Sequence, residues 1–425
     1  MKEKIKAVVV GYGDRGSIYA NYAIEAPDDL EIVGVCDIDP NRLAIAKNKF
    51  NLRDDQLFDD FEKLLKRGKI ADAAFVTTMD KLHYYQTKEL LNLGYNILLE
   101  KPVVNNKKEL LELQSLAEQK KLIISVGHVL RYTPFYQNIK KRVLNGDIGE
   151  IIYMETSERV GVAHTSSAFA RGKWKNKEEC GSSMLLQKCC HDLDLICWLN
   201  NNTEPLKIVS FGSRSNVIKD KAPAGSTERC YDCPHLETCI YSAKSLYVDN
   251  DIFPFYSFLQ LRNQGKKDLT KEEREKAIKD GDPFGVCIYK TNADIVDHQS
   301  LMIMFKNNSI AVHNMISFVP RPGRSIHILG TKGEIEGFFE KNIFEIRKEN
   351  FATSFYDTEV VDVSKLVDPS ISHGGGDLGL IKDFVHLLQK DEPSVSTSSL
   401  KDSIISHLCV YAADESMEKN EIEFL

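Results

Sequence analysis

The sequence predicts two α/β domains. The first carries a parallel, doubly wound sheet, and the second a large, open, mostly antiparallel sheet. Three observations carry this. Up to Val126, β-branched strands alternate with helices of about 10–15 residues, as in βαβ units. Near Gly127 the alternation stops. From 298 to 362, strand-like segments follow one another with few helices between them. A chain of 425 residues holds two domains, read here as 1–127 and 128–425.

The elements follow in order. Residues 5–11 (IKAVVVG) form a buried strand, and 17–26 a helix stopped by Pro27. Strands at 30–36, 71–77, 95–99 and 122–126 enclose helices at 40–50, 61–67, 83–93 and 107–119. A helix at 134–144 ends on Asn145 and Gly146. Strands are then expected at 151–158, 208–213, 298–305, 309–317, 325–329, 333–338 and 343–348, with Asn307 and Asn308 as a hairpin turn. Helices are expected at 189–199, 377–389 and 398–418. Residues 219–296 read as an insertion bearing a cysteine cluster and the charged run LTKEEREKAIKD.

Composition excludes several classes. With 42% hydrophobic and 28% charged residues, the chain is neither disordered nor fibrous nor a disulfide scaffold. A net charge of −7 gives no footprint for nucleic acid. No apolar run approaches the ~18–20 residues that span a bilayer. The run Ala7–Val10 is too short for a signal-peptide core, so a cytoplasmic location is expected. Ten cysteines then read as thiols, metal ligands or redox groups rather than structural disulfides.

The first strand runs into Gly11-Tyr12-Gly13-Asp14-Arg15-Gly16 and then a helix. This is G-x-G-x-x-G in the strand–turn–helix context of a Rossmann dinucleotide site. The first glycine permits the turn, the second admits a diphosphate, and the third lets helix and strand pack. The helix N-terminus offers unpaired N–H groups to phosphate. Asp37 ends the second strand about 20 residues beyond Gly16, where a carboxylate accepts both ribose hydroxyls and favours NAD. Arg42 nearby weakens that preference and leaves NADP open.

After the strand at 95–99 comes Glu100-Lys101-Pro102. With the glycine turn and Asp37, with Thr77-Thr78, His83 and Gly94, and with the helix beginning Cys189-Cys190-His191-Asp192-Leu193-Asp194, the chain resembles the Gfo/Idh/MocA oxidoreductases. His164, the run Phe169–Trp174 and His373-Gly374-Gly375-Gly376-Asp377 are similar to a cysteine-bearing subgroup of that family. The resemblance covers nearly the whole chain. It implies a Rossmann domain, a second domain whose open sheet mediates homo-oligomers, and NAD-dependent oxidation of a sugar or polyol. It also implies cofactor contacts from Gly11, Gly13, Asp14, Arg15, Gly16, Asp37, Arg42, Thr77, Thr78, His83, Glu100 and Lys101.

Hydride leaves a hydroxyl carbon only if the hydroxyl proton is removed. Lys101 lies at a strand's C-terminal end, where such sheets bind ligands, and a lysine near a cationic nicotinamide can take that proton. His191 can assist as acid or base. The competing readings are a surface lysine and a capping or core histidine. Many family members carry an Asp four residues before this histidine, and Gln187 stands there. Gln orients a hydroxyl but does not titrate. Two alternatives stay open: a redox-neutral lyase or glycosidase that oxidises its substrate transiently, and a non-catalytic NAD-binding regulator.

Softer substrate candidates are His164, Arg171 and Trp174, where Arg can bind an anion and Trp can stack on a sugar. His128 and Arg131, beside Tyr132, follow the last Rossmann strand, and His298 with Asp297 opens a strand. For each, a purely structural role competes. The late glycine run is an anion nest or a hinge.

Cys230, Cys233 and Cys239 form C-x2-C-x5-C. Two cysteines on one tight turn suit a tetrahedral thiolate metal site. Cys287 is the leading fourth ligand and His235 the second. A closed zinc site leads, with an iron–sulfur cluster, free thiols or a disulfide as alternatives.

Overall fold

The computed structural model describes residues 3–254, 256–262, 268–352, 355–367 and 372–425, with backbone alone at 260, 372 and 373. Two sheets organise it. The first holds β1 (Ile5–Val10), β2 (Leu30–Cys36), β3 (Leu57–Phe58), β4 (Ala73–Val76), β5 (Asn96–Leu99) and β6 (Ile124–Val126). Its order is β3-β2-β1-β4-β5-β6, all parallel. The order reverses beside β1, so the carboxyl ends of β1 and β4 frame a crevice. Helices cover both faces, which is why β4 is apolar and buried throughout.

The second sheet adds β7 (Ile151–Gly161), β8 (Pro205–Ser213), β9 (His298–Phe305), β10 (Ile310–Val319), β11 (Gly323–Gly330), β12 (Gly333–Phe338), β13 (Ile343–Glu349), β14 (Tyr356–Asp362) and β15 (Glu423–Phe424). Its order is β14-β13-β12-β11-β7-β10-β9-β8-β15. β7 and β10 run parallel, and the other pairs are antiparallel. β9 alternates exposed and buried residues, the signature of a sheet with one face on the core and one open. Helices Cys190–Leu199 and Leu400–Lys419 supply the covering layer.

Several sequence expectations need correction. β3, β14 and β15 were not foreseen. The helix expected from 17 begins at Asp14 and is interrupted at Asn21. The helix expected from 189 begins at Cys190, after a π-helical turn over Leu185–Cys189. The late helices also return to the first sheet. Leu380, Ile381, Phe384 and Val385 of Gly376–Leu388 pack with Ala7, Val9 and Phe75. Among the described residues no helix is long and apolar enough to cross a membrane.

Candidate active site

The glycine turn is closed by contact. Gly11 has φ +90°, a conformation that strains residues with a Cβ. A Cβ on Gly16 would lie 2.1 Å from the Gly11 carbonyl oxygen. At Gly13 a Cβ would meet nothing nearer than the Arg42 guanidinium at 3.7 Å, so the space above that backbone is open for a diphosphate. Thr77 braces the turn from β4, its hydroxyl donating to the Gly11 carbonyl at 2.6 Å. The Thr78 hydroxyl donates to Gln86.

Asp37 accepts from the Tyr12 N–H at 2.7 Å and from the Asp39 N–H at 2.9 Å, one on each oxygen. Each oxygen keeps acceptor capacity for a ribose hydroxyl. The Arg42 guanidinium lies 3.6 Å from Asp37. The residues present therefore fit a dinucleotide.

Three expected cofactor contacts are internal braces. Arg15 donates to Glu100 at 2.8 Å and to Asp377 at 2.5 Å. Glu100 also accepts from the Tyr19 hydroxyl and the Lys101 N–H. Burial would raise the Glu100 carboxyl's pKa, but Arg15 and Lys101 hold it below the ordinary value. His83 is buried, with its ring nitrogens on the Pro102 and Thr78 carbonyls. The late glycine run serves this brace. Gly374 and Gly375 have positive φ, and Asp377 reaches Arg15. The His373 side chain lies outside the described residues.

Lys101 reaches across the crevice. Its Nζ donates to the backbone carbonyl of Gln187 at 2.9 Å. The Gln187 side chain turns away, its Nε2 donating to the Ser182 carbonyl at 2.6 Å and to Cys180 Sγ at 2.7 Å. His191 follows one turn later, 8% exposed, with its ring edge-on to His128 at 5.8 Å between centroids. Burial holds His128 well below the ordinary histidine range, helped by His407 and Arg131.

An aromatic wall faces this end of the crevice. His164 stacks on Phe253 at 5.0 Å and on Tyr256 at 5.6 Å, and Trp174 meets Tyr256 edge-on at 5.8 Å. Burial, then the charges of Lys188, Arg324 and Lys101, drive the His164 pKa far down, so its ring is neutral at ordinary pH. Behind it lies a buried ion cluster. Arg324 pairs with Glu158 at 2.8 Å and Asp192 at 2.9 Å, and Lys188 pairs with Glu158 at 3.1 Å. Cys189, Asp192 and His313 lie within 4.8 Å of one another, but Asp192 is taken by Arg324 and His313 Nδ1 by Thr156.

Three substrate candidates lie elsewhere. Arg131 is buried in a bidentate pair with Asp194, at 2.7 and 2.6 Å. His298 sits on the open face of the second sheet, paired with Asp297 at 2.7 Å, because strand alternation turns it away from the helices. Arg171 is buried against the insertion, donating to the Val286 and Tyr241 carbonyls. The sequence reading missed Tyr256, Phe253 and Lys173. Protein crowding lowers the Lys173 pKa, while Asp80 and Asp14 pull the other way, and Arg42 and Lys101 add to the lowering. Its ammonium lies over the Trp174 ring, 4.2 Å from the centroid. A lysine beside Trp174 in the same run was the available signal.

Residues 5–128 match an oxidoreductase family's NAD-binding Rossmann fold, and 140–423 match its C-terminal alpha/beta domain. The chain belongs to the Gfo/Idh/MocA oxidoreductase family. It is an NAD-binding oxidoreductase related to sugar and inositol dehydrogenases. The protein YteT of Bacillus subtilis is 25% identical over 375 residues, 83% of this chain and 82% of YteT. The scyllo-inositol 2-dehydrogenase (NADP(+)) IolW of the same organism is 24% identical over 192 residues, 45% of this chain and 51% of IolW. A levoglucosan dehydrogenase solved with NADH and levoglucosan matches with TM-score 0.71 at 16% identity, over 99% of both chains. An Agrobacterium radiobacter oxidoreductase solved with NAD+, L-tartaric acid and magnesium gives 0.69 at 14% identity, over 99% of this chain and 98% of its own.

Proposed function

We propose that this family member oxidises a hydroxyl carbon of a sugar, polyol or sugar derivative, passing hydride to NAD. Bound NAD supplies the hydride acceptor. The chain supplies the rest. Gly11, Gly13 and Gly16 admit the diphosphate, and Asp37 holds the ribose. Lys101, whose backbone N–H donates to Glu100, takes the substrate hydroxyl's proton on Nζ. His191, four residues after the Gln187 whose carbonyl Lys101 meets, is the assisting acid or base. His164, Trp174 and Tyr256 give the ring stack that suits a carbohydrate face. The observation that carries this reading is Lys101 Nζ at the mouth of the crevice, held by the Gln187 carbonyl. As the neutral amine, Nζ accepts the hydroxyl proton, and the ammonium so formed still has the Gln187 carbonyl to donate to, which keeps the new charge partnered.

NAD is preferred over NADP because Asp37 would repel a 2′-phosphate more closely than Arg42 attracts it. Two of the relatives named above, IolW and the levoglucosan enzyme, are dehydrogenases, which does not favour the redox-neutral alternative. Homo-oligomers through the open sheet face belong to the same proposal. The test is a panel of sugars, polyols and glycosides incubated with NAD. NADH should rise with substrate loss on at least one of them. Binding of NAD without turnover on any would defeat the proposal.

A further inference from the structure

We infer that Cys230, Cys233, Cys239 and Cys287 form a four-thiolate centre for a thiophilic metal group, inside the 219–296 insertion. The four line one cavity together with Arg171 and His235, and all four are free of disulfides. Distant segments are brought together to do this. Arg229 and Val286 form an isolated bridge, and the Cys287 N–H donates to the Glu228 carbonyl at 2.8 Å.

The backbone around each sulfur is alike. Each cysteine opens a tight turn, its carbonyl accepting from the N–H three residues on. These bonds are Cys233 to Cys230 and Leu236 to Cys233 at 3.1 Å, Ser242 to Cys239 at 3.0 Å, and Lys290 to Cys287 at 2.9 Å. Two arms also share a sequence. Cys239-Ile240-Tyr241 and Cys287-Ile288-Tyr289 repeat one tripeptide, and in both the tyrosine N–H donates to the cysteine sulfur. The two rings meet at 5.8 Å.

Arg171 supplies the electrostatic argument. Its guanidinium is buried, and its hydrogen bonds go to two carbonyls, the Tyr247 hydroxyl and, at 3.6 Å, Cys230 Sγ. None of these partners is a carboxylate. A buried cation without an anion is costly, and a thiolate centre provides the missing negative charge.

No three of the sulfurs lie within 4.8 Å of one another among the described residues. A tetrahedral zinc at about 2.3 Å from each sulfur needs them about 3.8 Å apart. A zinc ion therefore requires the side chains to rotate inward, while an iron–sulfur cluster suits a wider ring of cysteines. Either group would bind at the cost of few ordered residues and would anchor an insertion whose own core is small.

The test is metal and acid-labile sulfide analysis of the full chain, purified without oxygen. About one zinc per chain, or two or four irons with equal sulfide, supports the centre, and the two results separate the ion from the cluster. Cys239→Ser should lower bound metal at least fivefold, and Cys409→Ala should leave it unchanged. Should Cys239→Ser fail to fold, thiol labelling of the native wild-type chain decides. These four cysteines should resist alkylation until a chelator strips the metal. Metal below a tenth per chain with these thiols freely labelled, or a disulfide between any two of them in freshly isolated protein, overturns the inference.

Discussion

Lys101 Nζ, on the loop after β5, donates to the backbone carbonyl of Gln187, on the turn before helix Cys190–Leu199, at 2.9 Å. One side chain thus ties the cofactor half of the crevice to the substrate half. The acceptor is main chain, so the side chain at 187 is free to turn to Ser182 and Cys180. That makes the loss of a carboxylate at 187 tolerable, since the contact survives it.

Lys101→Met removes the amine and keeps the stem. Positioned acid–base groups contribute about 10²–10⁴-fold, so kcat should fall in that range. NADH affinity, measured by fluorescence titration, should change less than twofold.

Asp37→Ser removes the ribose acceptor and leaves Arg42 opposed by Asp39 alone, at 3.8 Å. Affinity for NAD should fall about tenfold, the equivalent of about 1.4 kcal/mol. Affinity for NADP should rise. Isothermal titration with both dinucleotides measures the crossover.

Tyr256→Ala opens the aromatic wall around His164. KM for the substrate should rise about tenfold with kcat within about twofold, because the ring packs on substrate and takes no proton. Steady-state kinetics separates the two.

His128, His164, His313 and His407 all have pKa values pushed below the ordinary histidine value, in each case first by burial. They take up protons less readily in the folded chain than in the unfolded chain, where a histidine titrates near pH 6.5. The unfolded state then binds more protons, so stability falls as pH drops through that value. Urea unfolding at pH 7.5 and 5.5 should show this loss, and His313→Gln should lessen it.

The first sheet was legible because its strands are apolar runs between glycine and proline signals, and the strand–turn–helix register of Gly11, Gly13 and Gly16 is local. β3 and β15 have two residues each, too few for any period to register. β14 is exposed almost throughout, so it lacks the alternation that marks a half-buried strand. Arg131 and Arg171 read alike in sequence as arginines near a site. What separates them from a substrate role is long-range: Asp194 lies 63 residues from Arg131, and Val286 lies 115 residues from Arg171. Tyr256 was missed for the converse reason. It sits in an insertion that carries no periodic signal and meets His164 only in the folded chain.

The most direct test follows the hydride itself. A substrate that supports turnover is deuterated at the hydroxyl carbon, and the NADH formed is analysed by mass spectrometry. The account predicts deuterium in NADH in proportion to carbonyl product, at least 100-fold slower with Lys101→Met. Substrate consumed without accumulating labelled NADH, or Lys101→Met working at the wild-type rate, would contradict it.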